Sequence, residues 1–417
     1  IEKKLAQRHL KEGELVLLDV SSSYYEGRVS ALAQFGHSRD GKAGIKIIVY
    51  GLMTNREGCP VAIDIYPGDT ADPATVPDQL ERLRVQFERE RLVLVGDRGL
   101  LPGTQLEQLR KHPQLGWITA LRSRAIRQLV ESGSLQLSLF DQQNLAEIES
   151  EQYPGERLVA CYNPLLAEER GRRREELLLA TEKKLNQIVS QVERRTQTPL
   201  RQQEMAVKVG KVINRYKMAK HYRLQIEEGR FGWERNLPSI EQEARLDGIY
   251  VLRTSEPASR IGPADVVRSY KSLSQVETAF RNLKGVDLEI RPIRHWNDDH
   301  IRAHVFLCLL AYYVEWHMKK ALAPLLFHDE ELPATRSQRD PVAPATPSDS
   351  VQQKKAHRQT SEGLPIQSFH TLLQAMATRC RNYQKVAEEK SAIRFQNVTE
   401  LNPLQKKVLQ LLGLYPV

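Results

Sequence analysis

The chain has 417 residues, enough for two or three domains and a sizeable hydrophobic core. Its 61 Lys and Arg residues outweigh its 52 Asp and Glu residues, and the net charge of +9 suits a polyanionic partner. No apolar run is long enough to span a bilayer, and the four cysteines lie far apart without a CxxC pair, which argues against a membrane protein and a disulfide or zinc framework and favours reduced thiols in the cytoplasm.

The first 122 residues predict an α/β arrangement. Three β-rich runs, residues 14–20, 45–52 and 60–66, are separated by turn residues. A helix at 77–90, a short buried strand at 91–95, a helix from Pro102 and a strand at 116–121 follow. Hairpin strands followed by strand–helix–strand predict a mixed sheet covered by helices.

The texture of the sequence changes after this block. Strands are predicted at 156–162 and 248–254, with a charged amphipathic helix at 168–195 between them. In that helix Leu178, Leu185 and Val192 recur every seven residues, but two heptads are too few to indicate a coiled-coil dimer. Helical patterning resumes at 265 and continues to 320. Residues 327–363 are rich in Pro, Ser, Thr and charge and predict a flexible linker, before a small helical tail.

Two aspartates lie at the ends of predicted strands, a position from which a side chain can contribute to a functional site. Asp19 ends the apolar run that starts at Leu15, and Asp97 ends the run that starts at Leu92. An acid in this position is costly to bury unless it is paired or bound to a metal ion. For one such residue alone, the better interpretation is that it starts a loop or caps a helix. Two in one α/β block make a divalent-cation site an equal alternative, because such cations prefer clustered carboxylate oxygens.

A helix predicted around residues 270–284 carries the third candidate acid. Its spacing gathers four side chains on one polar face: Tyr270, Glu277, Arg281 and Lys284. Judged from the helix alone, a solvated surface with an i,i+4 ion pair is the better interpretation.

This helix resembles the signature of insertion-sequence transposases, whose catalytic helix carries Tyr, Arg, Glu and Lys. The spacings from Tyr270 to Glu277 and from Glu277 to Lys284 match that signature in full. Leu273 stands where the arginine is expected, and Lys271 or Arg281 could supply its charge. Further stretches resemble the same branch in order along nearly the whole chain: 36–40 (GHSRD), 67–72 (PGDTAD), 96–99 (GDRG), 216–221 (YKMAKH) and 287–296 (DLEIRPIRHW).

The resemblance implies a bacterial DDE transposase with a ribonuclease H-like fold, a mixed sheet flanked by helices and interrupted by a long α+β insertion. Asp19, Asp97 and Glu277 would hold two Mg²⁺ or Mn²⁺ ions for strand cleavage and strand transfer. The expected organisation is a first part of the catalytic core at 1–122, an inserted domain at 123–262, a second part of the core at 263–326, a flexible linker at 327–366 and a helical C-terminal tail at 367–417.

The same resemblance implies double-stranded DNA as the partner, both as transposon ends and as target. It places Tyr270 and Lys284 on phosphates near the cut end. The other residues predicted to contact DNA are basic: Lys271, Arg281, Arg39, Lys42 and Arg98. We expect a homodimer in the DNA complex and a location in the bacterial cytoplasm, at the nucleoid. Only about 14 residues precede the first aspartate strand, so we expect a missing N-terminal portion and DNA binding with little sequence preference.

Three other patterns suggest different chemistry. Residues 36–43 nearly spell a phosphate-binding loop but lack the Ser or Thr that would hold Mg²⁺, and a strand follows. His300 and His304 have zinc-ligand spacing, yet their helix continues as a core stretch, which disfavours zinc. Basic residues at 208–223 with interleaved aromatics suit single-strand contact as well as they suit a solvated helix before a half-buried strand.

Two alternative functions remain open on the sequence. One is a ribonuclease H-like nuclease or junction resolvase, which would share the metal ions without joining strands; the long insertion and the Tyr–Glu–Lys helix argue against it. The other is an inactive or host-adopted relic that only binds DNA. All three acids are present, which favours activity.

Overall fold

The structure is a computed structural model that describes residues 1–11, 13–87, 91–195, 197–331, 339–343, 346–385 and 394–414. The chain forms two compact units. The first combines Ile1–Thr119 with Thr254–Val417, and the second is Ala120–Arg253.

The first unit begins with a short helix and a sheet. Helix α1 (Glu2–His9) precedes three strands, β1 (Leu15–Tyr24), β2 (Ile47–Asn55) and β3 (Pro60–Pro67), then helix α2 (Val76–Glu81), strand β4 (Leu92–Val95), helix α3 (Gly103–Arg110) and strand β5 (Leu115–Ala120). The spatial order of the strands is β3-β2-β1-β4-β5. β1 to β3 are antiparallel neighbours, whereas β4 is parallel to both β1 and β5. This mixed sheet confirms the predicted ribonuclease H-like fold class.

The two faces of β1 have different partners, because successive side chains on a strand point to opposite faces. Val16, Leu18 and Val20 pack into a core shared with residues of α2 and α3, including Leu80 and Leu106. The other face carries Leu17, Asp19, Ser21 and Ser23. The candidate acid therefore faces away from this core.

The second unit interrupts the first after β5. Its elements are α4 (Ser123–Glu131), β6 (Leu145–Ile148), β7 (Arg157–Tyr162), α5 (Pro164–Glu193), α6 (Gln202–Tyr216), β8 (Tyr222–Glu227), β9 (Arg230–Arg235), α7 (Leu237–Ala244) and β10 (Ile249–Thr254). The seven-residue stripe of α5, which includes Leu178 and Leu185, is buried against Met205 of α6 and against Tyr222 and Phe231 of the β8–β9 hairpin. The stripe is thus satisfied within the unit, without a second chain.

The chain returns to the first unit with α8 (Pro263–Lys271), α9 (Leu273–Leu283) and α10 (Asp298–Ala321). The prediction of one continuous helix across residues 270–284 is therefore wrong at one point, because the helix is interrupted at Ser272. The Ser272 N–H donates to the carbonyls of Arg268 and Ser269, and its hydroxyl donates to the Arg268 carbonyl at 2.9 Å. Such local bonds compete with helix continuation.

The remainder of the first unit holds α11 (Asp349–His357), α12 (Phe369–Ala377), a hairpin of β11 (Arg381–Lys385) and β12 (Arg394–Val398), and α13 (Pro403–Leu411). Of the linker predicted at 327–366, residues 332–338 and 344–345 lie outside the described residues, and 349–357 form α11. Of the tail predicted as helical at 367–417, residues 386–393 and 415–417 lie outside the described residues, and β11 and β12 are strands. Leu325, Leu372 and Val408 share a small core there. Among the described helices, none has the length and apolar character needed to cross a membrane.

Candidate active site

Asp19 and Asp97 lie at the same level of the sheet. β1 and β4 are parallel neighbours, and Leu17 is opposite Val95 in their register. Asp19 follows Leu17 by two residues and Asp97 follows Val95 by two residues. The register therefore brings the two acids together where β4 ends, at the carboxyl edge that commonly carries functional groups in such sheets.

Asp97 begins a tight turn. Its Oδ1 accepts hydrogen bonds from the N–H groups of Gly99, at 2.9 Å, and Leu100, at 2.6 Å. A Cβ added at Gly99 would lie 3.3 Å from both carboxylate oxygens of Asp97, so glycine gives this turn its room. The loop-starting interpretation of Asp97 is correct as far as Oδ1 is concerned. Its side chain is nevertheless exposed, so the carboxylate is accessible to a ligand as well.

Asp19 is the electrostatic centre of the site. Burial raises the pKa of its carboxyl to about 7, and the negative charges of Asp97 and Glu277 add to that increase. The N–H of Val20, 2.8 Å from Oδ1, and the charge of Arg39 oppose it. The three acids thus lie within electrostatic reach of one another, although they come from distant parts of the chain.

Helix α9 brings Glu277 over the face of the sheet to which Asp19 points. Ser21 is paired with Tyr50 of β2, so Tyr50 shares the face of Asp19. The Tyr50 ring packs against Phe280 of α9, with 5.8 Å between centroids. Phe280 is buried, and Glu277 lies on the exposed side of the same helix.

The three carboxylates do not form one tight ligand group. Within the described part of the chain, the three do not form a set whose ligand atoms all lie within 4.8 Å of one another. Two ions about 3.5–4 Å apart allow a wider spread of carboxylates than one shared ion does. Oxygen donors of this kind match Mg²⁺ or Mn²⁺.

Tyr270 and Arg98 border the acids. The pKa of the Tyr270 hydroxyl is raised to about 12, mainly by burial; the charges of Asp97 and Glu277 contribute to this increase, and Arg98 opposes it. Arg98 itself is exposed. The structure therefore brings Tyr270 and Arg98, two of the residues predicted to contact DNA, close to Asp97 and Glu277.

Lys284, predicted to contact a phosphate, points into the protein. Its ammonium donates to the Ser22 carbonyl at 2.8 Å and to Asp40 Oδ1 at 2.9 Å. Arg291 also pairs with Asp40, whose side chain is only 1% exposed. Asp40 was not predicted as a partner of Lys284, and its place in the GHSRD stretch was the only signal for it.

The other basic residues predicted to contact DNA have different surroundings. The Lys271 ammonium donates to the carbonyls of Val342 and Ala343, at 2.9 and 3.0 Å. Arg281 is exposed and donates to the hydroxyl of its neighbour Thr278 at 3.1 Å. Lys271 is therefore held by the protein's own backbone, whereas Arg281 faces solvent.

Arg39 and Lys42 lie on the loop between β1 and β2. Arg39 forms an ion pair with Asp72, and both residues line a cleft of about 340 Å³ that also reaches Gly99. The Lys42 ammonium lies 3.3 Å from the centroid of the Tyr24 ring. The cleft thus connects this loop to the turn that carries Asp97.

The aromatic residues near the basic stretch 208–223 belong to a core. Tyr222 and Phe231 are buried, and the Tyr222 hydroxyl donates to the Leu178 carbonyl at 2.9 Å. Trp233 donates to Asn186 at 3.1 Å. These rings are not presented for base stacking, so the half-buried-strand interpretation holds for them.

The histidines with zinc-ligand spacing make local contacts. His304 Nε2 lies 3.3 Å from the Ile290 carbonyl and 3.9 Å from the Cys308 sulfur. Over the described residues, neither His300 nor His304 belongs to a group of three ligand atoms close enough to share an ion.

Comparison with known proteins gives two findings. Residues 13–314 match a family model described as the transposase DDE domain, and this range contains all three acids. A cryo-EM structure of a piggyBac transposase synaptic complex with hairpin DNA aligns at 10% identity with a TM-score of 0.36, over 84% of this chain and 62% of that one. No curated protein matches the chain. The chain spans less than two thirds of the length of the solved transposase.

Proposed function

The chain belongs to the family of transposase DDE domains, and we propose that it is the catalytic part of a bacterial insertion-sequence transposase. In this proposal it is a polynucleotidyl transferase that cleaves strands at transposon ends and joins them to target DNA. The observation that carries the proposal is the proximity of Asp19, Asp97 and Glu277. The negative charges of Asp97 and Glu277 both raise the pKa of the Asp19 carboxyl.

Transposases of the DDE type generally use divalent metal ions. We assign Asp19, Asp97 and Glu277 as the residues that would hold two Mg²⁺ or Mn²⁺ ions. When bound, such ions activate a water or a 3′-hydroxyl and stabilise the leaving oxygen at phosphorus. Asp19, the most buried of the three acids, would be ionised when a cation binds, whereas the turn at Gly99 and Leu100 would fix the orientation of Asp97.

The residues around the acids have the chemistry to hold a DNA strand. Arg98 and Arg281 are exposed cations beside the acids and on the glutamate helix, so they are the strongest assignments for phosphate contact. The Tyr270 hydroxyl, next to Asp97 and Glu277, would orient the cut end. Arg39 and Lys42 would contact DNA from the neighbouring loop, and Lys271 and Lys284 only after leaving their partners. We further propose that two copies act together on paired double-stranded ends.

A strand-transfer assay with a pre-cleaved, 3′-hydroxyl DNA end tests this function. An active transposase joins that end to a target duplex when Mg²⁺ is present. A nuclease would cut the DNA without forming the joined product, and an inactive relic would bind the DNA without either product. Either of the last two results would reject the proposal.

A further inference from the structure

A second group of potential metal ligands lies in the first unit, apart from the three acids. It consists of His9, Cys59 and His317, whose ligand atoms all lie within 4.8 Å of one another. It is the one group of three or more such ligands in the described part of the chain that meets this distance. No residue of the candidate active site belongs to it.

Three separate elements contribute to the group. His9 is the last residue of α1, Cys59 precedes β3 in the β2–β3 turn, and His317 lies in α10. His9, Cys59 and His317 are far apart in the sequence and form no motif. For that reason the spacing of the cysteines did not predict a zinc site. The fold alone creates the group.

Each of the three side chains is held in place. The Cys59 N–H donates to Asn55 Oδ1 at 2.9 Å, and the Cys59 carbonyl accepts from the Asn55 N–H at 3.0 Å. His9 Nε2 lies 3.0 Å from the Tyr313 hydroxyl. The Tyr313 ring packs against His317, with 4.5 Å between centroids. A site whose ligands are already ordered loses little conformational entropy when an ion binds.

His317 offers an atom that nothing else satisfies. Its Nε2 is buried and has no hydrogen-bond partner among the residues that the structure describes. A buried polar atom without a partner costs free energy, and ligation by a metal ion would remove that cost. The burial of both His9 and His317 lowers the pKa of each imidazole, which keeps the ring neutral and its lone pair available.

We propose that His9, Cys59 and His317 form a binding site for a thiophilic divalent cation, with Zn²⁺ as the natural choice. Two imidazoles and one thiolate favour zinc, whereas the carboxylates of the active site favour Mg²⁺ or Mn²⁺. Water completes the tetrahedral coordination. The two sites of this chain are thus chemically distinct and select different ions.

Binding at this site requires a proton to leave. Burial raises the pKa of the Cys59 thiol to about 12, so the thiol is protonated in the absence of a metal ion. Coordination of Zn²⁺ by Cys59 forms the Zn–S bond and releases the thiol proton to solvent. No oxidant or reductant is needed.

A bound Zn²⁺ ion would link α1 to the rest of the first unit. The beginning of α1 is already attached through Glu2, which accepts from the Ile63 N–H at 3.0 Å and pairs with Arg82. The ion would attach its end, through His9, to the β2–β3 turn and to α10. The site is therefore structural, and it acts through stability rather than through the chemistry of DNA cleavage.

Titration of the reduced full-length chain with Co²⁺ tests the proposal, because a cobalt–thiolate bond gives a near-ultraviolet charge-transfer absorption that oxygen ligands do not give. We expect this absorption to saturate at one equivalent of Co²⁺ per chain in the unaltered chain. The same is expected of Cys161→Ala, a control in which a buried cysteine of the other unit is removed. Cys59→Ala should lose the absorption. If the unaltered chain lacks it, or if Cys59→Ala retains it, the proposal is wrong.

Thermal unfolding gives a second readout that does not depend on the cysteine variant folding well. Zn²⁺ at about a hundredfold excess over its dissociation constant should raise the melting temperature of the unaltered chain by about 3 °C or more relative to EDTA. His317→Gln should reduce this increase, and Asp19→Asn should retain it, which separates this site from the active site. An equal increase in His317→Gln would contradict the proposal.

Discussion

Lys284 and Asp40 form a buried ion pair, with 2.9 Å between the lysine ammonium and Oδ1 of the aspartate. The lysine follows the glutamate helix, and the aspartate lies on the loop after β1, so the pair connects the two elements that carry Glu277 and Asp19. Burial lowers the pKa of Lys284, while Asp40 supports its charged form. The pair positions Glu277 relative to Asp19 from outside the site.

This pair predicts that Lys284→Met destabilises the chain by about 1–3 kcal/mol, because it removes a charged hydrogen bond from the buried Asp40 carboxylate, which keeps Arg291 and the Tyr24 N–H as partners. Lys271→Met, a comparison variant that loses the bonds from the lysine ammonium to the carbonyls of Val342 and Ala343, should cost less, because these acceptors are neutral. Urea unfolding measures both. If Lys284→Met has normal stability but lowers the salt slope of DNA binding by about one, the residue is a phosphate contact instead.

The raised pKa of Asp19 predicts a pH-dependent stability. A carboxyl whose pKa is near 7 in the folded chain, against 3.8 as the ordinary value, favours its protonated form on folding. Its favourable contribution is complete below pH 4 and is lost as the pH rises to about 7. In EDTA, Asp19→Asn should therefore gain stability over the unaltered chain between pH 5 and pH 8, on the order of 2 kcal/mol. A difference that does not change with pH would show that Asp19 ionises normally.

Tyr270 should contribute to strand transfer through its hydroxyl. Tyr270→Phe keeps the ring and its burial but removes the hydroxyl proposed to bond the cut DNA end, so we expect strand transfer to fall about 3- to 10-fold with unchanged folding. Single-turnover joining of a pre-cleaved end measures the effect. A rate equal to that of the unaltered chain would leave Tyr270 with a packing role only.

Arg98 and Arg281 should each contribute one phosphate contact. Arg98→Ala and Arg281→Ala are each expected to lower the dependence of log affinity on log salt concentration by about one unit. Lys111→Ala provides a control, because Lys111 is exposed on the chain segment after α3 and its ammonium donates to the side chain of Gln108 at 2.8 Å. Fluorescence anisotropy with duplex DNA at several salt concentrations measures the slopes. If the slopes of Arg98→Ala and Arg281→Ala equal that of Lys111→Ala, neither arginine contacts a DNA phosphate.

Local patterns allowed much of the sheet to be predicted. Apolar runs ending in Asp19 and Asp97 identified β1 and β4, since a buried strand and its exposed end differ sharply in composition. The register between those strands could not be predicted, because it depends on pairing between residues 78 positions apart, such as Leu17 and Val95. The break at Ser272 was missed as well, since a serine within a helical pattern is an ordinary residue until its side chain bonds the backbone.

The direction of long side chains was the harder part of the site. The sequence could place Lys284 on a polar helix face, but only the fold shows that Asp40 and the Ser22 carbonyl meet that face. The same limit applies to His9, Cys59 and His317, whose proximity is set by three elements far apart in the chain. Chemistry that depends on distant partners requires the fold.

The most direct test of the central claim compares Mg²⁺-dependent DNA cleavage with DNA binding in Asp19→Asn, Asp97→Asn and Glu277→Gln. Asp78→Asn serves as the control, because Asp78 is exposed on α2, which packs against the opposite face of the sheet. The three site variants should lose cleavage by about a thousandfold or more, since each lacks a charge that holds metal ions, while binding to duplex DNA persists. The control should cleave normally. Retained cleavage in any one of the three would remove that acid from the site and contradict the account.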